Sequence, residues 1–213
     1  ALLGLQEIDG ALYYFGEDGK LVRSRTVTLD GVVYRADASG RLTTELTPIT
    51  GTAQATAAQM TAYLRTVNPN VAQSVLDMIP CYLSEGAAEG IRGDIAFAQS
   101  CLETGNFTFR GSAVTLEQNN FCGMGVTSNG VKGNSFATPQ LGIRAQIQHL
   151  KAYASTAALQ QACVDNRFRY VQRGCAPYVE WLGIPENPNG RGWAGGAGYG
   201  AKILRILTAI LQM

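Results

Sequence analysis

The sequence predicts a mainly α-helical domain that follows a small β-hairpin segment. The apolar spacing or alanine content of five stretches is typical of helices, and these are 52–66, 71–86, 91–105, 139–154 and 199–212. Residues 1–44 instead carry short strand-like runs around Asp-Gly and Ser-Gly turns. The 213 residues are 46% hydrophobic, which suffices for one good core and a small appendage.

The N-terminal 44 residues repeat with a period of about 21 residues. Asp9-Gly10 recurs as Asp30-Gly31, and Tyr13 recurs as Tyr34. Each repeat offers two strands around a turn, and stacked hairpins usually need several units. We therefore divide the chain into hairpin repeats at 1–44, a linker at 45–51 and a helical domain at 52–213.

Capping residues and prolines predict where the helices begin and end. Thr138 followed by Pro139 suits an N-cap and first helical residue. Pro80 is expected to kink or break the second helix, and a turn is expected over 85–90. Gly and Asn crowd two irregular stretches, 105–138 and 165–198, which suit loops that form a cleft on a helical frame.

The stretch 91–105 places a single acid at the end of a helix. Ile95, Ala98 and Leu102 define its buried stripe, and Gly105 is the expected residue that stops it. Glu103 then lies in the last turn, where the helix dipole and apolar neighbours disfavour its charged form. A carboxyl that keeps its proton near neutral pH suits a general acid. The competing interpretation is a solvated surface glutamate.

Composition argues against several other functions. The net charge of +1 argues against nucleic acid as the main partner, and no run of 18 apolar residues predicts a membrane span. The start lacks a basic signal-peptide region, so we expect a mature protein or a fragment. A single histidine and no C-x-x-C spacing argue against a metal site.

The five cysteines leave two interpretations open. Cys163 could pair with Cys175 and Cys101 with Cys122, which would leave Cys81 free. Alternatively, all five are unpaired buried thiols.

Aromatic and amide side chains crowd the irregular stretches of the second half. Aromatic faces suit the apolar faces of sugar rings, and amides suit the hydroxyl groups at the ring edges. Gln118, Asn119 and Asn120 supply amides beside Phe121. Together with one helix-end acid, they predict a polysaccharide cleft, although several of the aromatic residues are also expected in the core.

Four blocks in order resemble the glucosaminidases of glycoside hydrolase family 73, over roughly residues 55–213. They read AFAQSCLETGNF, QNNFCGMG, GIRAQIQHLKAYA and GWAGGAGYGAKILRIL. Those enzymes are endo-β-N-acetylglucosaminidases that act on peptidoglycan and have a lysozyme-like α-fold. The resemblance implies that Glu103 is the catalytic acid and that Asn119, Asn120, Phe121 and Gly123 line the cleft.

The expected mechanism depends on the last block and on one departure of this sequence from the family pattern. Tyr199 matches the second aromatic position of the family pattern, and Trp193 replaces the first tyrosine, so we expect Tyr199 in catalysis and Trp193 in substrate binding. Some family members carry a second carboxylate, but no Asp or Glu lies between Gln118 and Val164. We therefore predict one acid, assisted by the substrate's 2-acetamido oxygen or by a water near Tyr199, and no cofactor.

The N-terminal repeats resemble the cell-wall-binding (choline-binding-like) repeats of Gram-positive surface proteins. The segment lacks tryptophan, so we do not predict choline binding. Its aromatic residues are instead expected to pack, and these are Tyr13, Tyr14, Phe15 and Tyr34. The resemblance implies a secreted protein in, or delivered to, the cell wall of a Gram-positive-type bacterium. Its expected partners are peptidoglycan and, through residues 1–44, a wall polymer.

Other functions compete with this prediction. A lytic transglycosylase would use a related fold and one glutamate, but the block with Trp193 and Tyr199 favours a glucosaminidase. A muramidase on the same fold would cut the other glycosidic bond. Residue types do not distinguish the two bonds, and only the family resemblance favours the bond between N-acetylglucosamine and N-acetylmuramic acid. A cysteine peptidase would have to pair Cys122 with His149, the single histidine, which sits in a helical pattern typical of a packed residue. A non-catalytic wall-binding protein would not need Glu103.

Overall fold

The computed structural model describes residues 2–29, 32–126, 128 and 130–213, without the side chains of residues 28, 32 and 33. The chain divides into two compact units, Ala1–Thr47 and Pro48–Met213. The first is built from β-hairpins and the second from helices. The predicted mainly α fold class with a small β-hairpin segment is therefore confirmed, and it is consistent with a lysozyme-like domain.

The described part of the first unit contains five short strands in two antiparallel sheets. They are β1 (Gly4–Ile8) with β2 (Ala11–Phe15), and β3 (Arg25–Leu29), β4 (Val32–Ala36) and β5 (Leu42–Thr44) in that order. Asp9 and Gly10 have φ of 51° and 73°, as a two-residue type I′ turn requires. The recurring Asp30-Gly31 lies outside the described residues.

A small core holds the first unit together. Val22, Ala36 and Leu42 are buried, and Tyr14 and Tyr34 pack against them. These two tyrosines are therefore packing residues, as predicted.

Five helices form the frame of the second unit within the described residues. They are α1 (Ala57–Val67), α2 (Gln73–Glu89), α3 (Gly93–Glu103), α4 (Pro139–Ala154) and α5 (Tyr199–Leu211). The N-cap at Thr138, where the side chain accepts the Leu141 N–H, and the start of α5 at Tyr199 agree with the predictions. No helix of the described part is both long and apolar enough to cross a lipid bilayer.

Helix α3 lies at the centre, in contact with α2, α4 and α5. Residues 93–101 are all buried, so burial extends around the helix and beyond the predicted stripe. At Gly93 a Cβ would lie 2.1 Å from the Tyr82 carbonyl oxygen. The absence of a side chain there lets the backbones of α2 and α3 touch.

The end of α2 corrects the sequence prediction. The helix runs through Pro80 and continues to Glu89, so the predicted turn over 85–90 is wrong. Glu85 and Glu89 are both buried, and they pair with Arg144 and Lys151 of α4 at 2.8 Å. Because residues four apart share a helix face, helical geometry lets α2 present both carboxylates to α4.

The beginning of α1 also differs from the prediction. The helix starts at Ala57 rather than near Thr52, behind a capping box of Thr56 and Gln59. The preceding residues pack as extended chain, in which Ile49 is fully buried. Asp94 accepts the N–H groups of residues 54 and 55 at 2.8 and 3.2 Å. The part of the predicted linker from residue 48 onward therefore belongs to the second unit.

Candidate active site

Glu103 is the last residue of α3, and local geometry fixes where that helix ends. Gly105 has φ of 58°, the left-handed conformation expected of the residue that stops a helix. The Asn106 N–H donates to the Cys101 carbonyl at 2.7 Å, which is the long bond of a Schellman motif. The predicted stop at Gly105 is confirmed, and the carboxyl group is held at the helix end.

The carboxyl group of Glu103 is half-buried and bound by a tyrosine. The Tyr199 hydroxyl donates to Glu103 Oε1. Burial raises the pKa of Glu103 above its ordinary value, while the Tyr199 hydrogen bond opposes that rise. Burial and the neighbouring Glu103 charge raise the pKa of Tyr199 well above its ordinary value. Tyr199 therefore keeps its proton and remains a donor to Glu103.

A chain of buried amides lies behind this pair. Gln99 Nε2 donates to the Tyr199 hydroxyl at 2.9 Å, and Gln146 Nε2 donates to Gln99 Oε1 at 2.9 Å. Gln146 Nε2 also donates to the Ala96 carbonyl at 2.9 Å. Gln99 and Gln146 are both fully buried. The Glu103–Tyr199 pair is thus tied to the backbone of the central helix.

Glu103 opens into a cleft of about 370 Å³. Its other walls are residues 111–114, the loop containing Cys122, Gly123 and Val126, and Trp193 with Ala194. A Cβ on Gly123 would lie 4.0 Å from Glu103 Oε2. Gly123 therefore leaves the space in front of Oε2 open. Within the described part of the chain, Glu103 is the only carboxylate that lines this cleft.

Comparison with known proteins places most of the second unit in a family. Residues 79–211 match the family model described as Glucosaminidase, mannosyl-glycoprotein endo-beta-N-acetylglucosaminidase. The chain belongs to the glucosaminidase family. It is also 40% identical over 151 residues to an uncharacterized protein of Borreliella burgdorferi. The aligned stretch covers 70% of each of the two chains. The predicted relationship to glucosaminidases is confirmed, and the enzyme is a glycoside hydrolase whose family implies peptidoglycan as substrate.

The amides predicted to line the cleft of this glucosaminidase support its loops instead. Asn120 is fully buried, and it accepts the Met124 N–H at 2.9 Å and donates to the Asn134 carbonyl at 2.9 Å. Gln118 Nε2 donates to the Gly133 carbonyl at 3.1 Å, and Asn119 Nδ2 donates to the Phe136 carbonyl at 2.8 Å. These bonds close the loop that carries Gly123.

Phe121 also turns inward rather than toward the cleft. Its side chain is 1% exposed and packs beside Phe107, with ring centroids 5.9 Å apart. The prediction that Asn120 and Phe121 contact substrate is therefore corrected: they position Gly123 and Cys122, which do line the cleft. The reason is that backbone groups of a tight loop need buried amide partners, and an aromatic ring anchors that loop in the core.

Trp193 is half-buried where the cleft meets an adjoining cavity of about 180 Å³. The ring lies edge to face with His149, with centroids 4.9 Å apart, and is 5.8 Å from the ring of Tyr153. His149 Nδ1 lies 2.7 Å from Asp165 Oδ2, which is fully buried. Trp193 therefore lies in the wall of the cleft that contains Glu103, and its contact with substrate stays a prediction.

The cysteine thiols form neither the predicted disulfides nor the site of a cysteine peptidase. All five cysteines lie in the described residues, and all are free, so neither predicted disulfide is present. Burial, and then the charge of Glu103, raise the pKa of Cys122 well above its ordinary value. A cysteine peptidase needs a thiolate, and this environment disfavours one. Among the described residues, no group of three acidic, histidine or cysteine side chains is placed to hold a metal ion.

Sequence reasoning missed the role of Gln146. It lies in the helical stretch that contains the core residues Ile143, Ile147 and Leu150. An amide at a buried helical position needs partners, and that was the available signal. Helical spacing puts Gln99 on the same face of α3 as Glu103, four residues later, but the bond from Gln99 to Tyr199 spans 100 residues of the chain and has no local signal.

Proposed function

We propose that this glucosaminidase hydrolyses the bond between N-acetylglucosamine and N-acetylmuramic acid within peptidoglycan strands, with Glu103 as the general acid. The observation that carries the proposal is the half-buried Glu103 carboxyl, which opens into the cleft and is bound on one oxygen by Tyr199. A polymer chain can pass through a cleft that is open to solvent, which suits cleavage within the strand.

Glu103 would protonate the glycosidic oxygen as the bond to the sugar C1 breaks. Burial raises the pKa of Glu103, which keeps the proton available closer to neutral pH. Oε1 is occupied by the Tyr199 hydroxyl, so Oε2, which faces Gly123, is the oxygen free to carry the proton. The leaving sugar departs with that proton as its hydroxyl hydrogen.

The second step would use the substrate itself. Glu103 is the only carboxylate among the described cleft residues, and Glu117 is exposed, with a pKa lowered by its hydrogen bond to Thr115. We propose that the 2-acetamido oxygen attacks C1 as the leaving group departs. Water then adds to C1 as the bond between C1 and the acetamido oxygen breaks and its electron pair returns to the acetamide, and Glu103 accepts the proton of that water, which restores the acid. Such substrate assistance is a known exception to the use of paired carboxylates.

The cellular setting is part of the same proposal. We propose that the enzyme is secreted and acts in, or is delivered to, the cell wall of a Gram-positive-type bacterium. Support comes from the hairpin repeats of residues 1–44, which form a compact unit of their own and resemble wall-binding repeats. This unit would hold the enzyme on a wall polymer, and incubation of residues 1–47 with purified walls tests that role.

The decisive experiment is digestion of purified peptidoglycan by the wild type and Glu103→Gln, with fragments reduced by borohydride and read by mass. Reduced N-acetylglucosamine ends from the wild type and none from Glu103→Gln are expected. Glu117→Gln is the control, because it removes an exposed carboxylate outside the cleft. Anhydromuramic ends would identify a lytic transglycosylase, and reduced muramic ends a muramidase. Undiminished cutting by Glu103→Gln would refute the role of Glu103.

A further inference from the structure

We infer that Gln146 and Gln99 are positioning residues that fix the direction in which the Tyr199 hydroxyl donates, and thereby keep the acid proton of Glu103 on the oxygen that faces the cleft. The inference rests on the proposed role of Glu103. Neither glutamine lines the cleft, and both are fully buried. The hydrogen-bond route from either glutamine to the Glu103 carboxyl runs through Tyr199.

The direction of this chain of hydrogen bonds is set by a backbone carbonyl group at its far end. The Ala96 oxygen can only accept a hydrogen bond, and Gln146 Nε2 donates to it at 2.9 Å. A flipped Gln146 amide would set its oxygen against that carbonyl. The opposite end of the amide agrees, since Gln146 Oε1 accepts from the Ser100 hydroxyl at 2.9 Å. The orientation of Gln146 is therefore determined by its surroundings.

Gln146 passes this orientation to Gln99. The same Gln146 Nε2 donates to Gln99 Oε1 at 2.9 Å, which uses its second hydrogen. With its oxygen engaged there, Gln99 can present only its Nε2 to the Tyr199 hydroxyl, 2.9 Å away. A flipped Gln99 would bring two NH₂ groups together.

Tyr199 must then donate to Glu103. A phenol has one hydrogen, and the Gln99 N–H already occupies an acceptor position on the Tyr199 oxygen. The remaining partner is Glu103 Oε1, so the hydroxyl hydrogen points to it. No buried side-chain nitrogen or oxygen of the described residues lacks a hydrogen-bond partner, so the chain has no loose end that would allow it to reverse.

The consequence is an asymmetric carboxyl group. Oε1 always accepts from Tyr199, so a proton on Glu103 resides on Oε2, the oxygen nearest Gly123 and the cleft. The same bond favours the carboxylate and limits the rise in pKa that burial causes. If the chain were broken, the Tyr199 oxygen would also accept from a protonated Oε1. Both the proton's position and the pKa of Glu103 would then change.

The test is the pH dependence of the release of reducing ends from purified peptidoglycan by Gln146→Met and Gln99→Met. In both variants the basic limb of the profile, where Glu103 loses its proton, should move up by about one pH unit, which is about 1.4 kcal/mol. We expect kcat to fall roughly tenfold, which is again about 1.4 kcal/mol, because the proton no longer stays on Oε2. KM should change little, because the cleft lining is intact. The two variants interrupt the chain of hydrogen bonds at different residues. If one variant does not fold, the pH profile of the other still tests the inference.

Gln148→Met is the matched control. Gln148 is a fully buried glutamine on the same helix, but its amide binds residues 162 and 164 instead of Gln99. This variant should lose comparable stability and leave the basic limb in place. Tyr199→Phe removes the hydroxyl through which the chain acts, so adding Gln146→Met to Tyr199→Phe should cause no further shift.

The outcomes separate this inference from the proposed function. If Glu103→Gln is inactive while Gln146→Met, Gln99→Met and the wild type share one basic limb, the chain has only a structural role and the inference fails. An equal shift in Gln148→Met would also overturn it. If Glu103→Gln cuts like the wild type, the proposed function itself fails.

Discussion

A buried carboxylate at the end of α2 offers a strong test of how the second unit is held together. Glu89 accepts the Lys151 ammonium at 2.8 Å and the N–H groups of Gln160 and Gln161 at 2.9 and 3.0 Å. Glu89 and Lys151 are 3% and 4% exposed. One carboxylate thus joins α2, α4 and the chain that follows α4. We expect Glu89→Gln to destabilise this unit strongly.

The magnitude follows from what the substitution leaves behind. The Lys151 ammonium would remain buried without an opposite charge, and breaking such a pair costs about 3–5 kcal/mol. A glutamine also has one acceptor oxygen for three donors, so at least one donor loses its full partner. For a domain of this size the loss corresponds to a fall in Tm of roughly 6–20 °C.

Urea unfolding at neutral pH, followed by far-UV circular dichroism, measures this loss. Asp77→Asn on the same helix is the matched control, because Asp77 is exposed and accepts a hydrogen bond from the exposed Gln73; it should change the free energy of unfolding by less than about 0.5 kcal/mol. The double variant Glu89→Gln/Lys151→Met should recover part of the loss, since the uncompensated charge is gone. A loss below about 1 kcal/mol for Glu89→Gln would refute the reasoning about the buried pair.

Two further predictions concern acid and the cleft. Burial acts to raise the pKa of Glu85 and Glu89, but hydrogen bonds, including those from Arg144 and Lys151, outweigh it and the pKa is lowered. A carboxylate whose pKa is lower in the folded state stabilises the fold at pH values above the unfolded pKa of about 4.3, and this stabilisation is lost as the pH falls through the folded pKa. The urea midpoint should therefore fall below about pH 4, and it should fall less steeply in Glu89→Gln. Separately, Gly123→Ala should reduce kcat/KM at least tenfold, about 1.4 kcal/mol, by placing a Cβ 4.0 Å from Glu103 Oε2. Gly190→Ala is its control, since Gly190 lies outside the cleft lining, has φ of 60° and leaves open space for a Cβ; it should lose similar stability, about 1–2 kcal/mol, and keep its activity. Equal kinetics in the two alanine variants would contradict the role given to Gly123.

Several features were predictable because they depend on residues within one or two turns of chain. Asp9-Gly10 forms its hairpin turn, Thr138 caps α4 and Gly105 ends α3. Each follows from the conformations and hydrogen bonds that a short segment can make for itself. The position of Glu103 at a helix end belongs to the same class.

Other features were mispredicted because they depend on distant partners. The turn expected over 85–90 is helical, since Glu85 and Glu89 meet cations of α4 about 60 residues away. Cys122 and Gly123 of the block line the cleft with Glu103, whereas Asn120 and Phe121 turn inward, and a loop motif does not reveal which side chains do so. The free cysteines illustrate the same limit, because spacing along the chain does not place two sulfur atoms together.

By itself, then, the sequence determined that five stretches are helical, that α3 ends at Glu103 beside Gly105 and that α5 starts at Tyr199, through local spacing and chain conformation. The start of α1 and the end of α2 are not among these features. Only the tertiary structure decided that the Tyr199 hydroxyl meets Glu103, 96 residues away in the chain, and that Gln146 orients Gln99 across 47 residues. Helix formation depends on neighbours along the chain, whereas the direction of a buried hydrogen bond depends on which donors and acceptors the packed helices bring together.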